Sequence, residues 1–425
     1  MKSIANVKKN YNFIIFQKLL VVSLLIGFMA AFLGIGLKRI TEFYEHIFFI
    51  KTTVNWIYLI IFPFVGLSVV YFLRVYLFKN KENKGIKEIF ESTKSKKKNL
   101  PMYKIPSHFI NGLLTVAFGG STGIEVSTVV ASATIGSVAQ QKANFFRQYK
   151  TELICAGVAA GVTALFGSPF AGILFALEVI SRKANKVFLF TNVIAVAIAY
   201  GLVLVLEEPP LFAITIDNWH WHAVPYFLLL GVFAGLNAVY LTKCVLFIKS
   251  LFLKIQVPYT KIVVGSAILS AALLVFPQLY GDGYHAISDI LFHAERNAFS
   301  VSLMLTLVGI LIMKPIVTSV TLASGGDGGV FAPSIFMGAF LGLLLAMLLN
   351  TFFDANVLPI NFMVIGMAAM LSASIHAPFT ALFLVCGLTN DYTLFLPIMM
   401  VCLVSKHTSQ LVCPYTVYTF SPASK

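Results

Sequence analysis

The sequence predicts an all-α polytopic membrane protein, built as an inverted-repeat bundle of tilted and broken helices. Hydrophobic residues make up 58% of the 425 residues and charged residues only 11%, and the mean hydropathy is +0.87. A soluble protein of this size needs far more polar surface. Two Gly-rich clusters and two Pro-Phe segments also interrupt apolar sequence. They predict broken helices, because irregular backbone at membrane depth lines transport sites.

Several apolar segments approach the roughly 20 residues that a spanning helix needs. Some are shorter or contain Gly and Pro, as expected for broken helices. The predicted spans are Leu19–Leu37, Trp56–Phe72, Val187–Leu206, Val224–Leu241, Lys261–Phe276, Val301–Val317 and Phe331–Leu349. The first has basic residues before it but no evident cleavage site, so it is interpreted as an uncleaved span.

The basic residues lie in short loops between apolar segments. The formal net charge of +14 could suggest nucleic acid, but this distribution follows the positive-inside rule instead. No nucleic-acid partner is therefore expected, and the chain is predicted to be a multi-pass protein of the cytoplasmic (inner) membrane. The basic segments 2–18, 79–98, 142–150 and 243–261 are predicted to be cytoplasmic, and the acidic segments 207–221 and 281–300, with Asp217 and Glu295, to lie outside.

The cysteines lack the spacing of metal ligands. They are odd in number and lie in or beside apolar runs: Cys155, Cys244, Cys386, Cys402 and Cys413. They are interpreted as structural thiols, and neither a metal nor another cofactor is expected.

Two pairs of motifs indicate an internal duplication. The segment Gly167–Phe175 is echoed by His376–Leu384, with Pro169 and Pro378 lying 209 residues apart. The Gly-rich clusters 119–127 and 324–333 repeat at 206 residues when Gly123 is set on Gly329. The predicted organisation is a first membrane repeat, 1–215, and an inverted second repeat, 216–425, with no cytoplasmic domain. Inversion would bring all four helix breaks to one place at mid-membrane.

The Gly-rich clusters predict an anion site. A helix that begins inside a membrane leaves its first N–H groups without partners and carries partial positive charge there. Two such starts facing each other, with the glycines Gly123, Gly328 and Gly329, would stabilise an anion through distributed dipoles. The alternative is that small residues only let helices pack closely, as in Gly-x-x-x-Gly seams.

These motifs resemble those of the CLC family of chloride channels and chloride/proton antiporters. The segment Ala323–Pro333 is similar to that family's Gly-x-Phe-x-Pro anion-binding segment. Gly167–Glu178 and Ser374–Tyr392 resemble two further family stretches, and the order of the motifs holds from about residue 20 to 420. The resemblance implies transport of chloride or a similar monovalent anion by a homodimer with a separate pathway in each subunit.

The resemblance also implies roles for individual residues. The backbone amides of Val330 and Phe331 would bind the anion, and Tyr418 would donate its phenolic O–H to it, with Tyr415 as a rival. Lys84 falls where a family serine touches the central anion, so it is either part of the pathway or a solvated loop lysine.

Glu125 is the candidate gate, because an ionisable side chain in an otherwise neutral membrane segment is costly. Its segment, Gly123–Ser127, keeps the Gly and Glu of the family motif Gly-Lys/Arg-Glu-Gly-Pro but not its other residues. A carboxylate here would block the outer anion position until protonation releases it; the alternative is a simple helix cap.

Val179 stands where coupled family members carry an inner proton-accepting glutamate. This substitution favours a voltage- and pH-gated chloride channel over an antiporter.

Two other functions compete with anion transport. Gly119–Gly123 matches Gly-x-Ser-x-Gly and could indicate a hydrolase with Ser121 and His376, but the strand that such a motif needs is missing. An inverted-repeat carrier of a cation or organic solute usually presents acidic residues or carbonyls at its site, and here only Asp327 joins Glu125 and Glu178 within the motifs. We therefore expect a transporter and not an enzyme, with fluoride as a possible alternative halide.

Overall fold

The computed structural model describes residues 2–79, 81, 83–95, 98–142, 144–212, 214, 216, 219–293 and 300–420. Within these residues the fold is all-helical, as predicted, and the one β-type pairing is an isolated bridge. The helices are α1 (Lys2–Val54), α2 (Tyr58–Phe72), α3 (Ile86–Lys94), α4 (Lys104–Ala117), α5 (Glu125–Gln141), α6 (Lys150–Phe166), α7 (Pro169–Phe175), α8 (Lys186–Val205), α9 (Val224–Leu253), α10 (Pro258–Val275), α11 (Tyr284–His293), α12 (Val301–Ala323), α13 (Phe331–Phe353), α14 (Pro359–Ile375), α15 (Pro378–Thr389) and α16 (Phe395–Val412).

Nine helical segments among the described residues are long and apolar enough to cross a membrane. Two of them, Phe146–Phe166 and Phe395–Val412, are absent from the spans predicted from sequence. Polar residues explain the omission: Lys150 and Glu152 open α6, and Lys406 lies within α16. The first span is also longer than predicted, because α1 continues as one helix to Val54.

Glycines bring two helix pairs into backbone contact. In α5 and α6, a Cβ at Gly136 would meet the backbone of Leu153, and one at Gly157 the backbone of Ser132. In α13 and α14, Gly338 and Gly366 face each other's backbone in the same way. Close packing is thus a real use of small residues in the helix interiors of this chain.

The two Pro-Phe helix starts contact each other reciprocally. Ser168, which caps α7, donates its hydroxyl to the carbonyl of Phe383 in α15 at 2.8 Å. Glu178, in the π-helical turn that follows α7, accepts hydrogen bonds from the backbone N–H and the hydroxyl of Thr380 at 2.8 and 2.7 Å. The Phe175 ring lies 5.5 Å from that of Phe331, which joins this contact to the start of α13.

The loops predicted to share a side of the membrane converge in space. Lys84, Lys87 and Lys249 line one cavity, which we call the inner cavity. The segment Pro209–Leu211 and the loop around Asp282 line another, the outer cavity, together with residues of α1. The acidic residues Asp217 and Glu295, predicted to lie outside, fall beyond the described residues.

Candidate anion pathway

The two Gly-rich clusters meet backbone to backbone. Gly123 and Gly329 form the isolated antiparallel bridge, and the hydroxyl of Thr122 donates to the Gly329 carbonyl at 2.8 Å. A side chain does not fit at either glycine: a Cβ at Gly329 would meet Val126 and the Tyr418 hydroxyl, and one at Gly123 would meet Ala332. Glycine is therefore required here for close approach, and the two helix starts open at the same point.

The second cluster is held in place by the buried carboxylate of Asp327. One of its oxygens lies 3.0 Å from Nδ1 of His108 and accepts from the Ser127 hydroxyl at 3.3 Å, and the other accepts from Asn83 at 2.9 Å. Its backbone N–H donates to Thr115 at 3.0 Å. A buried charge is tolerated only with such partners. Asp327 thus acts as a structural anchor that ties the loop before α13 to α4 and α5.

Glu125 is the first residue of α5, and only 2% of its surface is exposed. Its Oε1 accepts a hydrogen bond from the hydroxyl of Tyr284 at 2.6 Å. Its other oxygen, Oε2, makes no hydrogen bond within the described residues and lies against Gly123, which also faces Ala332 near the start of α13. The carboxylate therefore lies beside the Gly123–Gly329 bridge, between the starts of α5 and α13.

The amide of Val330 and the hydroxyl of Tyr418 lie on the other side of this point. The Val330 N–H donates to the phenolic oxygen of Tyr418 at 3.2 Å, and the rings of Phe331 and Tyr418 are 6.1 Å apart. A phenolic oxygen that accepts from Val330 keeps its own proton to donate. The rival Tyr415 instead packs its ring on Phe420 at 5.0 Å.

Lys84 lines the inner cavity, a space of about 160 Å³ that is also bordered by Gly328, Gly329, Val330 and Tyr418. It comes just before Gly85, whose φ of +62° turns the chain into α3. The other basic side chains of this cavity are Arg74, Lys87 and Lys249. A cationic entrance to a path lined by amides attracts anions over a distance.

Val179 is buried, and the carboxylate of its neighbour Glu178 is engaged with Thr380. A cavity of about 590 Å³ lies close by, lined by Ile180, Ser181, Glu152 and Tyr418 among others. Water can therefore approach Tyr418 from a second direction, beside the position of the missing glutamate.

Ser121 and His376 do not form a catalytic pair. The Ser121 hydroxyl is buried and makes no hydrogen bond, while His376 ends α14 in another part of the bundle. A nucleophile needs a base within hydrogen-bond reach, so the geometry gives no support to a hydrolase.

Three residues of this site were not predicted from the sequence: Tyr284, Lys314 and His108. The Lys314 side chain is fully buried in α12, with its ammonium 3.3 Å from the carbonyl of Asp282. A signal for Lys314 was present, because it is an ionisable residue inside the apolar segment 301–317, which marks a functional candidate. For Tyr284 and His108, which act through distant partners, the sequence carries no local signal.

The comparisons with known proteins agree with this geometry. The family model of the voltage gated chloride channel matches residues 65–410. The chain belongs to this CLC family. An H(+)/Cl(−) exchange transporter, ClcA, of Salmonella arizonae is 30% identical over 335 residues, which cover 74% of this chain and 67% of the relative. A ClcB-like chloride channel protein of Ralstonia nicotianae is 27% identical over 321 residues, 72% of each chain.

Solved CLC structures share the fold of this CLC protein. A slow cyanobacterial Cl⁻/H⁺ antiporter superposes with a TM-score of 0.80 at 20% identity and covers 95% of this chain and 96% of its own. A CLC-type fluoride/proton antiporter gives a TM-score of 0.76 at 24% identity, with 94% and 96% covered. The chain is thus a membrane protein of the CLC fold whose function is anion transport.

Proposed function

We propose that this CLC protein exchanges chloride, or a similar monovalent anion, for protons, with Glu125 as the group that both species contest. The observation that carries the proposal is the buried carboxylate of Glu125 at the junction of the two Gly-rich helix starts. The sequence alone favoured a channel, because Val179 replaces the inner glutamate; the proposal of proton-coupled exchange reverses that preference. The relatives support the reversal, since ClcA is named an exchange transporter and two of the matching structures are titled antiporters.

The amides of Val330 and Phe331 and the hydroxyl of Tyr418 form the anion-binding part of the proposed mechanism. Neutral dipoles suit a transported ion, because a full counter-charge at the same place would hold it too firmly. Lys84 and the other basic groups of the inner cavity stand further out, where they raise the local anion concentration without binding the ion in the path.

The gate itself works by exclusion. Ionised Glu125 takes the outer anion position and blocks it, whereas a protonated Glu125 no longer competes for the amides and swings away. Each proton bound thus admits an anion, and each returning carboxylate expels one. Flux is expected to rise as the pH falls, because protonation releases the gate.

The inner proton step is proposed to use water. Val179 cannot accept a proton, and Glu178 is held by both donors of Thr380. The cavity of about 590 Å³ that reaches Tyr418 offers water a path to the bulk, and Glu152 is a carboxylate on its lining. Val179 is also the one observation that favours a passive channel, which therefore stands as the second candidate.

Reconstitution in proteoliposomes distinguishes the two. Under a fixed chloride gradient, the reversal potential is measured with and without a proton gradient. Exchange predicts that the potential shifts when the proton gradient is imposed. A potential that follows the chloride gradient alone would overturn the coupling and leave a channel. Replacing chloride by fluoride in the same assay establishes which halide is preferred.

We further propose a homodimer in the cytoplasmic membrane with one pathway in each subunit. In support, membership of the CLC family implies a homodimer with a separate pathway in each subunit. Mixed dimers with Glu125→Gln in one subunit only should show two components of flux, one independent of pH and one with the pH response of the unmodified protein, whereas a single blended profile would contradict separate pathways.

A further inference from the structure

Tyr284 stands between the outer cavity and the gate. It is the first residue of α11 and lines the outer cavity of about 450 Å³ together with Glu42, Glu45 and His46 of α1. Its hydroxyl donates to the Glu125 carboxylate at 2.6 Å, a length typical of a hydrogen bond to a charged oxygen. Both side chains are buried. The Glu125 carboxylate is therefore held by a specific side chain at the start of α11.

The short loop before Tyr284 is built to fix this tyrosine. The Tyr284 N–H donates to Asp282 Oδ1 at 2.8 Å, and the Asp282 N–H donates to Glu45 Oε1 at 3.2 Å. The ammonium of Lys314 reaches the carbonyls of Asp282 and Gly281 at 3.3 and 3.5 Å. The backbone of the loop is thus clamped from α1 on one side and from α12 on the other.

Packing removes the remaining freedom of the loop. Gly283 has a φ of +86°, and a Cβ there would strike the ring of Phe336. The Phe212 ring meets the Tyr284 ring edge-on, with 5.9 Å between centroids. A phenol in such a setting presents its hydroxyl at a fixed point. Little conformational entropy is therefore lost when the Glu125 carboxylate returns and accepts its hydrogen bond.

We propose that Tyr284 is the latch of the gate: a positioning residue whose hydroxyl holds the ionised Glu125 in the pathway and so sets the pH at which the anion path opens. The inference rests on the proposed role of Glu125. A hydroxyl donates more strongly to a carboxylate than to a carboxylic acid, so the latch favours the closed, ionised gate and weakens when the proton arrives.

Other charges also face this pair and contribute to the field at the gate. These charged or titratable groups come from α12, from the loop before α11, from α1, where Glu45 shares the outer cavity with Tyr284, and from the chain after α16: Lys314, Asp282, Glu45, Glu42 and Tyr418. These groups are unchanged by removal of a single hydroxyl. The effect of the latch can therefore be isolated by a substitution that keeps the ring.

The test is Tyr284→Phe, with anion flux into proteoliposomes measured as a function of external pH. Loss of one hydrogen bond to a charged group predicts that the midpoint of activation moves to higher pH by about one to two units. Tyr280→Phe is the matched control, because Tyr280 is a buried neighbour whose hydroxyl donates to the Ala117 carbonyl and not to the gate. Its midpoint should stay in place.

The same pair of substitutions is then made in a Glu125→Ala background. The latch predicts that Tyr284→Phe has no further effect there. An unchanged midpoint in the single variant, or an equal shift in Tyr280→Phe, would overturn the latch, as would an effect that persists without Glu125. If Glu125→Ala alone abolishes the pH response, the proposed function stands even where the latch fails. Tyr284→Met replaces Tyr284→Phe if the latter does not fold.

Discussion

The two Gly-rich helix starts of this protein share a geometry but differ in one side chain. Each begins a helix beside the Gly123–Gly329 bridge, and the first residues of the two helices are Glu125 in α5 and Phe331 in α13. One start therefore offers amides together with a titratable blocker, and the other offers amides together with an inert ring. In the proposed mechanism, the same backbone geometry serves as a gate at the start of α5 and as a permanent binding surface at the start of α13.

The largest effect on anion flux is expected from removing the carboxylate that distinguishes the start of α5 from the start of α13. Glu125→Gln takes away the charge that competes with the anion, so flux should rise and lose most of its pH dependence. The change at neutral pH should reach about tenfold or more, since one pH unit of gating corresponds to a tenfold change in population. Flux assays between pH 4.5 and 8 measure it.

Glu91→Gln is the control for this variant, because Glu91 is an exposed acid whose carboxylate pairs with Lys98. Its pH profile should match that of the unmodified protein. If Glu125→Gln also leaves flux and pH response unchanged, Glu125 has no part in the mechanism and the contrast between the helix starts loses its functional meaning.

The shared part of the geometry is tested at Gly329. Gly329→Ala would push a methyl group into Val126 and the Tyr418 hydroxyl, and overpacking of this kind costs about 1–3 kcal/mol. We expect a lower melting temperature and impaired transport. Gly36→Ala, where nothing lies within 4 Å of the added Cβ, should be nearly neutral. Equal stability of the two variants would contradict the close approach at the bridge.

A smaller effect is expected at the binding surface itself. Tyr418→Phe removes one neutral donor, whose net value of about 0.5–1.5 kcal/mol corresponds to about a two- to tenfold weaker affinity for the anion. Calorimetry with chloride or bromide measures the change. Tyr415→Phe is the control, since that ring packs on Phe420. Equal affinities for the Tyr418→Phe variant and the unmodified protein would remove Tyr418 from the site.

The smallest effect is expected at the inner entrance. Lys84→Gln should slow anion entry about two- to threefold at low ionic strength, and the difference should fade as salt screens the charge. Stopped-flow flux at two salt concentrations measures it. Lys142→Gln, which alters an exposed lysine at the end of α5 that does not line the inner cavity, should behave like the unmodified protein. If the rate of anion entry in Lys84→Gln were reduced equally at both salt concentrations, Lys84 would contact the ion directly instead.

The parts of the fold that the sequence predicted are those with a strong local signal. Gly123, Gly329 and the two Pro-Phe segments stand out against apolar neighbours, and the described structure brings these breaks into contact. The span in α6 was missed because Lys150 and Glu152 interrupt the hydropathy at its start, although most of that helix is buried within the bundle. The division into two repeats stays a prediction.

The unpredicted parts of the site depend on contacts between distant residues. Tyr284 lies 159 residues from Glu125 along the chain, and its position follows from the loop clamped by Lys314 and Glu45. His108 likewise gains its role only where Asp327 folds against α4. No periodicity or spacing in the sequence predicts such pairs of distant residues. Lys314, in contrast, could have been predicted as a functional residue, because it is a charge inside an apolar span.

The bridge between Gly123 and Gly329 also limits how this protein can move. Two bundles that rock apart around a central substrate would have to break that pairing, the hydrogen bond from Thr122 and the anchors of Asp327 in every cycle. This set of contacts between the helix starts favours a transport cycle in which side chains rotate while the helices stay nearly stationary. The free energy needed to open the anion path is then spent on moving a single glutamate and its few neighbours, while the helices keep their positions.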